Sequence, residues 1–539
     1  MKHPPLALCA LLAATSASAT DYSGAVQTLE TIVREEMREW GIGGLAVALV
    51  DDQQVVYAGG FGEANRESVF RVGSISKLFN ALAVMQQVEA GKLELDAPLP
   101  SELLPLNPFP GAPAVTLRQI LCHRSGLQRE SLVGGYLDPA QPGLAATVAS
   151  LRSGVLVTRP GEKTRYSNIA PSLAGFLVER AAKRSFEEYV RLHLFQPLRM
   201  TQSAWTLAHT SRNRIAPSHM RVADGRGGWT HPKAPLFDLG TLPAGNLFST
   251  VDDLARFGCA LLAEGGGLVN PEILREMWRP QLTPDKTGFG LGFMIGKFGE
   301  HRTIGHNGAV YGYSTSFILL PEEKLGVIVL GSEDLVNGRI HHINDAALGL
   351  LLEAKFGGKP APAPPSVPPR EFAAFTGEYE SQSYWARIEL RDGRLSGNLS
   401  GQPTRFTPTG ELNFTIHSRL EDATPVVFER SEAGAVTGFK LGAQHFSRVP
   451  AQATPLPEAW RGFLGSYGPD FIPVVVSERH GHLYAMTENM LDYRLTPLNR
   501  HVCALPPGLY TDEQVIFLTD RNGRPHSLNF ANMILPRRK

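Results

Sequence analysis

Between Phe356 and Arg370 the chain cannot continue any regular element. Lys359-Pro360-Ala361-Pro362-Ala363-Pro364-Pro365 is followed closely by Pro368-Pro369. Each proline fixes φ and withholds a backbone N–H, so neither a helix interior nor a central strand can run through this stretch. A Pro/Ala-rich run is extended and stiff, and it obliges the chain to fold as separate bodies on its two sides. Length agrees, because 539 residues exceed what one hydrophobic core organises. The expected division is a leader at 1–19, a large body at 20–355, a linker at 356–370, and two smaller bodies at 371–450 and 458–539.

In the large body, Val26, Leu29, Ile32, Val33, Met37 and Trp40 follow helical spacing, and Gly41 and Gly43-Gly44 end the helix. Leu45 to Val50 and Val55 to Tyr57, joined across Asp51-Asp52-Gln53-Gln54, read as a hairpin. Leu78 to Glu89 is a strong helix, and from about Leu93 to Pro280 the pattern is mostly helical with long loops. Strands return at Phe289 to Ile295, Ser314 to Leu319 and Val327 to Leu330, before a helix from about Ile343 to Leu352. The pattern predicts an α+β body in which one antiparallel sheet is assembled from both ends and flanked by helices, with a helical insertion between.

Beyond the linker the sequence repeats itself. Phe463-Leu464-Gly465-Ser466-Tyr467 lies 88 residues after Phe375-Thr376-Gly377-Glu378-Tyr379. Each string is followed by a similar step, Gly393-Arg394-Leu395 or Gly481-His482-Leu483, and by an aromatic strand, Val426-Val427-Phe428 or Val515-Ile516-Phe517. Two related, small antiparallel β-barrel-like domains account for this, with their connection near Pro450 to Pro457.

The first residues read differently. Lys2 and His3 precede an apolar run from Leu6 to Ala14, and Ala17-Ser18-Ala19 fits a small-residue cleavage site. The expectation is a secretory signal peptide cleaved near Ala19, giving a secreted or periplasmic protein; the run is too short to span a bilayer. No later segment is long and apolar enough to cross a membrane. Lys+Arg and Asp+Glu are equal at 52 each, which argues against nucleic acid as a partner. Beyond Cys9 in the leader, Cys122, Cys259 and Cys503 form neither a disulfide framework nor a metal-ligand spacing.

The chemistry resides in three strings taken in order: Ser74-Ile75-Ser76-Lys77, Tyr166-Ser167-Asn168 and His306-Asn307-Gly308. A Ser at a helix start with Lys one turn later places hydroxyl and amine on one face. A hydroxyl attacks well only when a base takes its proton, and a desolvated Lys can be that base. The approach Val69-Phe70-Arg71-Val72-Gly73 sets Ser74 at a helix N-terminus, where the dipole favours developing negative charge.

These strings resemble the serine β-lactamase and penicillin-binding protein family in its Tyr-x-Asn, His-x-Gly branch. Leu121-Cys122-His123-Arg124-Ser125-Gly126-Leu127, Pro160-Gly161-Glu162, Ser249 to Ala255 and Gly305 to Ser314 resemble it too, so the likeness covers roughly Val26 to Leu352. It implies a β-lactamase-like catalytic domain for the α+β body. It implies Ser74 as the acylated nucleophile, with Lys77 and Tyr166 sharing proton transfer; which holds the proton at each stage stays open. Asn168, His306 and Gly308 would contact substrate, Asn168 through its amide and His306 through a hydrogen bond or, when protonated, a charge to a carboxylate. The backbone N–H groups of Ser74 and Ala309 would form the oxyanion hole. No cofactor or metal is implied.

Lys286-Thr287-Gly288 spells the third triplet of many β-lactamases, but it runs into Phe289-Gly290-Leu291-Gly292-Phe293, a string that precedes the third-motif strand in the family. His306 is therefore the expected third-site residue. His123 reads as a structural histidine capping a turn, Asp252-Asp253 as an N-terminal cap and first-turn charge, and His341-His342 and His480 with His482 as packing or solvent-facing residues. No Gly-x-Ser-x-Gly elbow is present.

The leading expectation is an exported serine hydrolase working through an acyl-enzyme at Ser74 on a small peptide or β-lactam-like substrate. The branch includes D-Ala-D-Ala carboxypeptidases, and D-aminopeptidases whose catalytic domain is likewise followed by two β-barrel domains. An esterase or class C-like β-lactamase would use the same chemistry in a different pocket, and a non-catalytic ligand-binding protein is the alternative from another class. Aminopeptidase against carboxypeptidase depends on which loop reaches the cleft, and oligomeric state is left open by the sequence.

Overall fold

The computed structural model describes residues 20–104, 106–154, 156–225, 228–357, 372–450 and 454–538. The expected leader and nearly all of the Pro/Ala-rich linker lie outside these residues.

The large body opens with helix α1 (Ser23–Trp40), closed by Gly41 in the left-handed conformation. Strands β1 (Gly44–Asp51) and β2 (Gln54–Gly62) form the expected hairpin. Helix α2 (Ser76–Glu89) follows a 3-10 turn over Gly73–Ile75. Helices α3 (Ile169–Ala182) and α4 (Val251–Leu262) lie in the insertion. Strands β3 (Gly288–Phe289), β4 (Met294–Phe298), β5 (His301–Val310), β6 (Tyr313–Leu320) and β7 (Leu325–Gly331) precede the closing helix α5 (Asn337–Phe356). They join one antiparallel sheet in the order β2-β1-β7-β6-β5-β4-β3. The two ends of the body meet in its middle, with Leu45 opposite Gly331 and Asp51 opposite Leu325.

Strand β1 is apolar throughout because both its faces are covered. Leu45, Val47 and Leu49 pack with Leu29 and Val33 of α1 and Ile340, Ile343 and Leu351 of α5. The alternate residues Ala46, Ala48 and Val50 face the larger core that contains α2, α3 and α4. Small alanines on that side let helices approach the sheet, and each large aliphatic side chain buried on the other contributes roughly 1.5–3 kcal/mol.

One expected strand is two. Phe289 to Ile295 breaks at Gly290-Leu291-Gly292, because this turn packs on α2: a Cβ on Gly292 (φ +82°) would lie 2.3 Å from Ala81 Cβ. The closing helix is longer than expected at both ends. Its alternating polar residues are recruited by tertiary contacts, as with Arg339 and His342 on Asp422.

The first small body is a closed eight-stranded antiparallel barrel between Gly377 and Arg448, sealed by Tyr379 opposite Arg448. Phe375, Phe406, Phe414, Phe428, Phe439 and Phe446 fill it. The second forms two antiparallel sheets, four strands from Gly465 to Arg494 and five from Thr496 to Pro536, and so departs from a closed barrel. Its core is continuous with that of the large body, with Phe471 packed on Phe237 and Tyr311. A face covered in this way needs no closure to hide its apolar side chains. The sequence echo has a physical counterpart. Tyr379 and Tyr467 each donate a 2.8 Å hydrogen bond to the carbonyl four residues earlier, Phe375 or Phe463. An arginine lies over each ring, Arg448 or Arg537.

Candidate active site

Ser74 lies in the 3-10 turn that runs into α2, directly against strand β5. Two glycines permit that approach. Gly73 adopts φ +54°, and a Cβ there would lie 2.7 Å from the Ala309 nitrogen; a Cβ on Gly308 would lie 2.1 Å from the Val72 oxygen. Thr315 on β6 donates 3.0 Å to the same Val72 carbonyl and pins the turn from behind. Tyr166 and Asn168 stand immediately before α3. Their loop is set by His123, whose Nδ1 accepts the Ser167 N–H at 3.2 Å and whose ring stacks on Tyr166 at 4.3 Å. His123 is thus structural, as its sequence suggests, and the surface it supports is that of Tyr166.

The side chains converge on one oxygen. Lys77 Nζ is 2.9 Å from Ser74 Oγ, 2.9 Å from Asn168 Oδ1 and 2.8 Å from the Ala244 carbonyl. Tyr166 donates its hydroxyl to Ser74 Oγ at 2.8 Å. Burial holds Lys77 well below the usual lysine range, opposed by the Glu130 carboxyl and reinforced by Arg129. A neutral amine has two N–H groups and one lone pair. Asn168 Oδ1 and the Ala244 carbonyl can only accept from Lys77, whereas the Ser74 hydroxyl can accept from an ammonium or donate to the lone pair of an amine. Burial pushes the Tyr166 phenol up, against the hydrogen bond to Ser74 and the charge of Arg129. Asn168 is oriented from behind by donating its amide to Glu130 Oε1 at 2.5 Å. Glu130 is raised to about 7 by burial, despite Arg129 and Asn168.

His306 is buried on β5, and its Nδ1 donates 2.6 Å to the Asn307 carbonyl. That fixes the tautomer with Nε2 bare, and Nε2 is buried without a partner. Burial and then Lys77 bring its pKa down to about 3. The histidine is therefore a neutral acceptor. Of the two roles expected for it, a bare Nε2 leaves hydrogen bonding as an acceptor, and the lowered pKa disfavours a charge toward a carboxylate.

A cavity of about 610 Å³ opens over this cluster, bordered by Ser74, Tyr166, Asn168 and the strand His306 to Val310. Its other walls were not legible in the sequence. Asp334 belongs to the large body, Leu420 and Glu421 come from a loop of the barrel, and Glu488, Asn489, Leu509 and Thr511 come from the second small body. Arg129 lies between the Tyr166 and Tyr510 rings, with centroids 5.4 and 5.5 Å away. No spacing rule finds these residues, since Arg129 and Glu513 meet across 384 positions of chain. The Leu127-Gln128-Arg129-Glu130 sequence beside the recognised His-x-Ser-Gly-Leu string was the one local signal available.

The remaining candidates fall elsewhere. Lys286, Thr287 and Gly288 are exposed at the sheet edge, so the Lys-Thr-Gly string is not part of the cluster. The cap of α4 comes from Thr250, which accepts the Asp253 N–H, rather than from the acidic pair. Asp252 pairs with Arg66, while buried Asp253 accepts from Gln202 and Ser203. Both acids stand in the first turn of α4, as expected, where negative charge suits the helix dipole, and the Thr hydroxyl alone makes the cap. His342 bonds Asp422, and His482 approaches Arg494. Among the described residues no three His, Cys, Asp or Glu side chains are placed to hold a metal, and no helix is long and apolar enough to cross a membrane. Cys122, Cys259 and Cys503 are free thiols.

A Ser-Lys pair at the start of a buried helix, a Tyr on the same oxygen and an antiparallel sheet built from both ends of the large body define a β-lactamase-type fold. The chain belongs to the Beta-lactamase family, whose model matches residues 29–348. It is 27% identical over 493 residues to a human protein named beta-lactamase-like 1, covering 85% of this chain and 91% of that one. A penicillin-binding protein homologue from Pyrococcus abyssi superposes with a TM-score of 0.57 at 24% identity, over 78% of this chain and 99% of the other. D-amino acid amidase from Ochrobactrum anthropi SV3 gives 0.53 at 21% identity, over 62% of this chain and all of that one.

Proposed function

We propose that the protein is an exported serine hydrolase that forms an acyl-enzyme at Ser74 and cleaves amides of D-amino acids, including D-amino-acid-containing or peptidoglycan-type peptides. The observation that carries the reaction type is the convergence of Lys77 and Tyr166 on Ser74 Oγ, each within 2.9 Å. In this reading the Ser74 proton passes to the Lys77 lone pair as Oγ bonds the substrate carbonyl carbon. The oxyanion is met by the Ser74 and Ala309 N–H groups. Collapse breaks the C–N bond, the leaving amine takes a proton delivered through Tyr166, and water then hydrolyses the ester.

The substrate side follows from charge. His306, neutral with a bare Nε2, accepts a hydrogen bond and offers no cation to a carboxylate. Glu130, Asp334, Glu421, Glu488 and Asp512 border the same cavity, and the cations that also line it, Arg129, Lys163 and Arg165, are each paired with a carboxylate. Burial brings both Glu130 and Asp334 to about 7, and an entering ammonium group would draw them to the charged form. That set favours a substrate with a free amine over one with a free carboxylate, hence an aminopeptidase or amidase over a carboxypeptidase. The fold likeness to a D-amino acid amidase and to a D-stereospecific amidohydrolase from Streptomyces supports this choice. The leader-like first 19 residues support export.

The test is a panel of D-Ala amides and anilides, D-Ala-D-Ala peptides, nitrocefin and short-chain nitrophenyl esters, run with the wild type and Ser74→Ala. D-amino-acid amides turned over by the wild type and not by Ser74→Ala are the expected result. Cleavage of nitrocefin alone would sink the amidase reading, and no hydrolysis of any substrate would leave a ligand-binding protein.

A further inference from the structure

The Tyr166-Ser167-Asn168 segment is held from outside the catalytic body. Glu513 of the second small body presents a buried carboxylate whose Oε1 accepts the Arg129 N–H at 2.9 Å and also pairs with the Arg165 guanidinium. Both partners flank the segment. Arg165 immediately precedes Tyr166, and the Arg129 carbonyl accepts the Asn168 N–H at 2.6 Å. Arg165 gives two further bonds to the Thr511 carbonyl, at 3.0 and 2.6 Å, and one to the Leu127 carbonyl at 3.0 Å. A second grip lies alongside, where Tyr510 donates to Glu488 Oε1 at 2.9 Å and its ring sandwiches Arg129 against Tyr166.

We propose that the second small body builds one side of the active site in cis, and that Glu513 is a positioning residue for Tyr166 and Asn168. Arg165 is nearly fully buried, and its Glu513 partner is more deeply buried still. Removing that carboxylate leaves the buried Arg165 cation only the more exposed Asp512 carboxylate, 4.0 Å from its Nε, and the guanidinium must shift toward it and toward water and pull residue 166 with it. Tyr166 lies 2.8 Å from Ser74 Oγ and Asn168 lies 2.9 Å from Lys77 Nζ. A displacement of about 1 Å at such contacts costs on the order of 100-fold in rate. The last β-module is then part of the catalytic apparatus rather than a tethered binding domain. Only the kinetic arm of the test rests on Ser74 being the nucleophile.

The experiment compares full-length wild type, Glu513→Gln and Glu513→Asp by amide hydrogen exchange and by steady-state kinetics on the substrate found above. In Glu513→Gln, amides from Tyr166 to Ile169 should exchange about ten-fold faster or more while those of β1 do not change, a local opening rather than a global one. kcat per folded molecule should fall at least about ten-fold with KM within roughly three-fold, the pattern of a displaced catalytic group. Glu513→Asp, which keeps the charge, should recover part of both. Exchange at 166–169 equal to the wild type, or rising equally throughout the chain, overturns the proposal. Should Glu513→Gln fail to fold, Tyr510→Phe removes a single hydroxyl from the second grip. It is read the same way, with faster exchange at 166–169 expected and unchanged exchange overturning the proposal. If the wild type hydrolyses nothing, the proposed function fails while the exchange measurement still decides this one.

Discussion

At the scale of single residues, the site depends on which groups are denied their charge. Lys77 is buried on α2 among carbonyl acceptors and His306 on a strand with one nitrogen tied to a carbonyl, and both are pushed toward the neutral form. Glu130, like Asp334 across the cavity, changes state near neutrality, and of the two it is the one that bonds Asn168. Burial raises its carboxyl from the ordinary 4.5 to about 7, so between these values the folded protein holds a proton that the unfolded chain releases. The stability this contributes is complete below about 4.5 and is lost as pH rises through 7. Above 7 the carboxylate also favours the ammonium form of Lys77, working against its use as a base. Glu130→Gln keeps an acceptor for Asn168 and removes the titration. We expect an inflection near pH 7 in the kcat/KM profile of the wild type and its disappearance in Glu130→Gln. Superimposable profiles would show that Glu130 does not report to Lys77.

At the scale of elements, the turn before α2 and strand β5 must lie closer together than side chains normally allow. Gly73 and Gly308 occupy the two sides of that contact, and neither has room for a methyl group. Gly308→Ala would push β5 away from Val72, displacing the Ala309 N–H from Ser74 while leaving Ser74, Lys77 and Tyr166 in place. Loss of one oxyanion donor costs about 100- to 1,000-fold in kcat, and that is the fall expected for Gly308→Ala in a protein that still folds. Wild-type kcat in this variant would remove Ala309 from the oxyanion hole. The apolar spacing of α1 and α2 was legible from sequence because it is local, whereas α5 begins at Asn337, ahead of its expected start near Ile343. The break at Gly290-Leu291-Gly292 was not legible, since it exists to fit Ala81 of a helix some 200 residues away.

At the scale of the whole molecule, the two small bodies are attached differently. The eight-stranded barrel keeps its own aromatic core and reaches the large body mainly through polar contacts such as Arg419 with Glu333 and Asp422 with Arg339, beside a small apolar cluster of Leu420 with Ala223 and Leu335. The second body shares a continuous apolar core with the catalytic one, and Phe471 sits at the junction against Tyr311 and Phe237. Phe471→Ala should therefore destabilise the catalytic body itself, by up to about 3 kcal/mol given its partial exposure. In calorimetry this would lower the transition that carries loss of activity and leave the barrel's unchanged; a shift confined to a separate transition would contradict the shared core.

The sequence by itself determined the three strings that meet at the site, the α+β body, the Pro/Ala-rich break and the echoed β-modules. Each of these rests on local rules: a hydroxyl and an amine one helical turn apart, alternating or 3.6-period hydrophobicity, prolines that forbid regular structure. It also picked His306 over the exposed Lys-Thr-Gly string. Only the tertiary structure decided that His306 is held neutral, that Glu130 stands behind Asn168, and that Glu513 grips the catalytic loop. Burial, and contacts between residues hundreds of positions apart, set these properties, and neither leaves a period or a spacing in the chain.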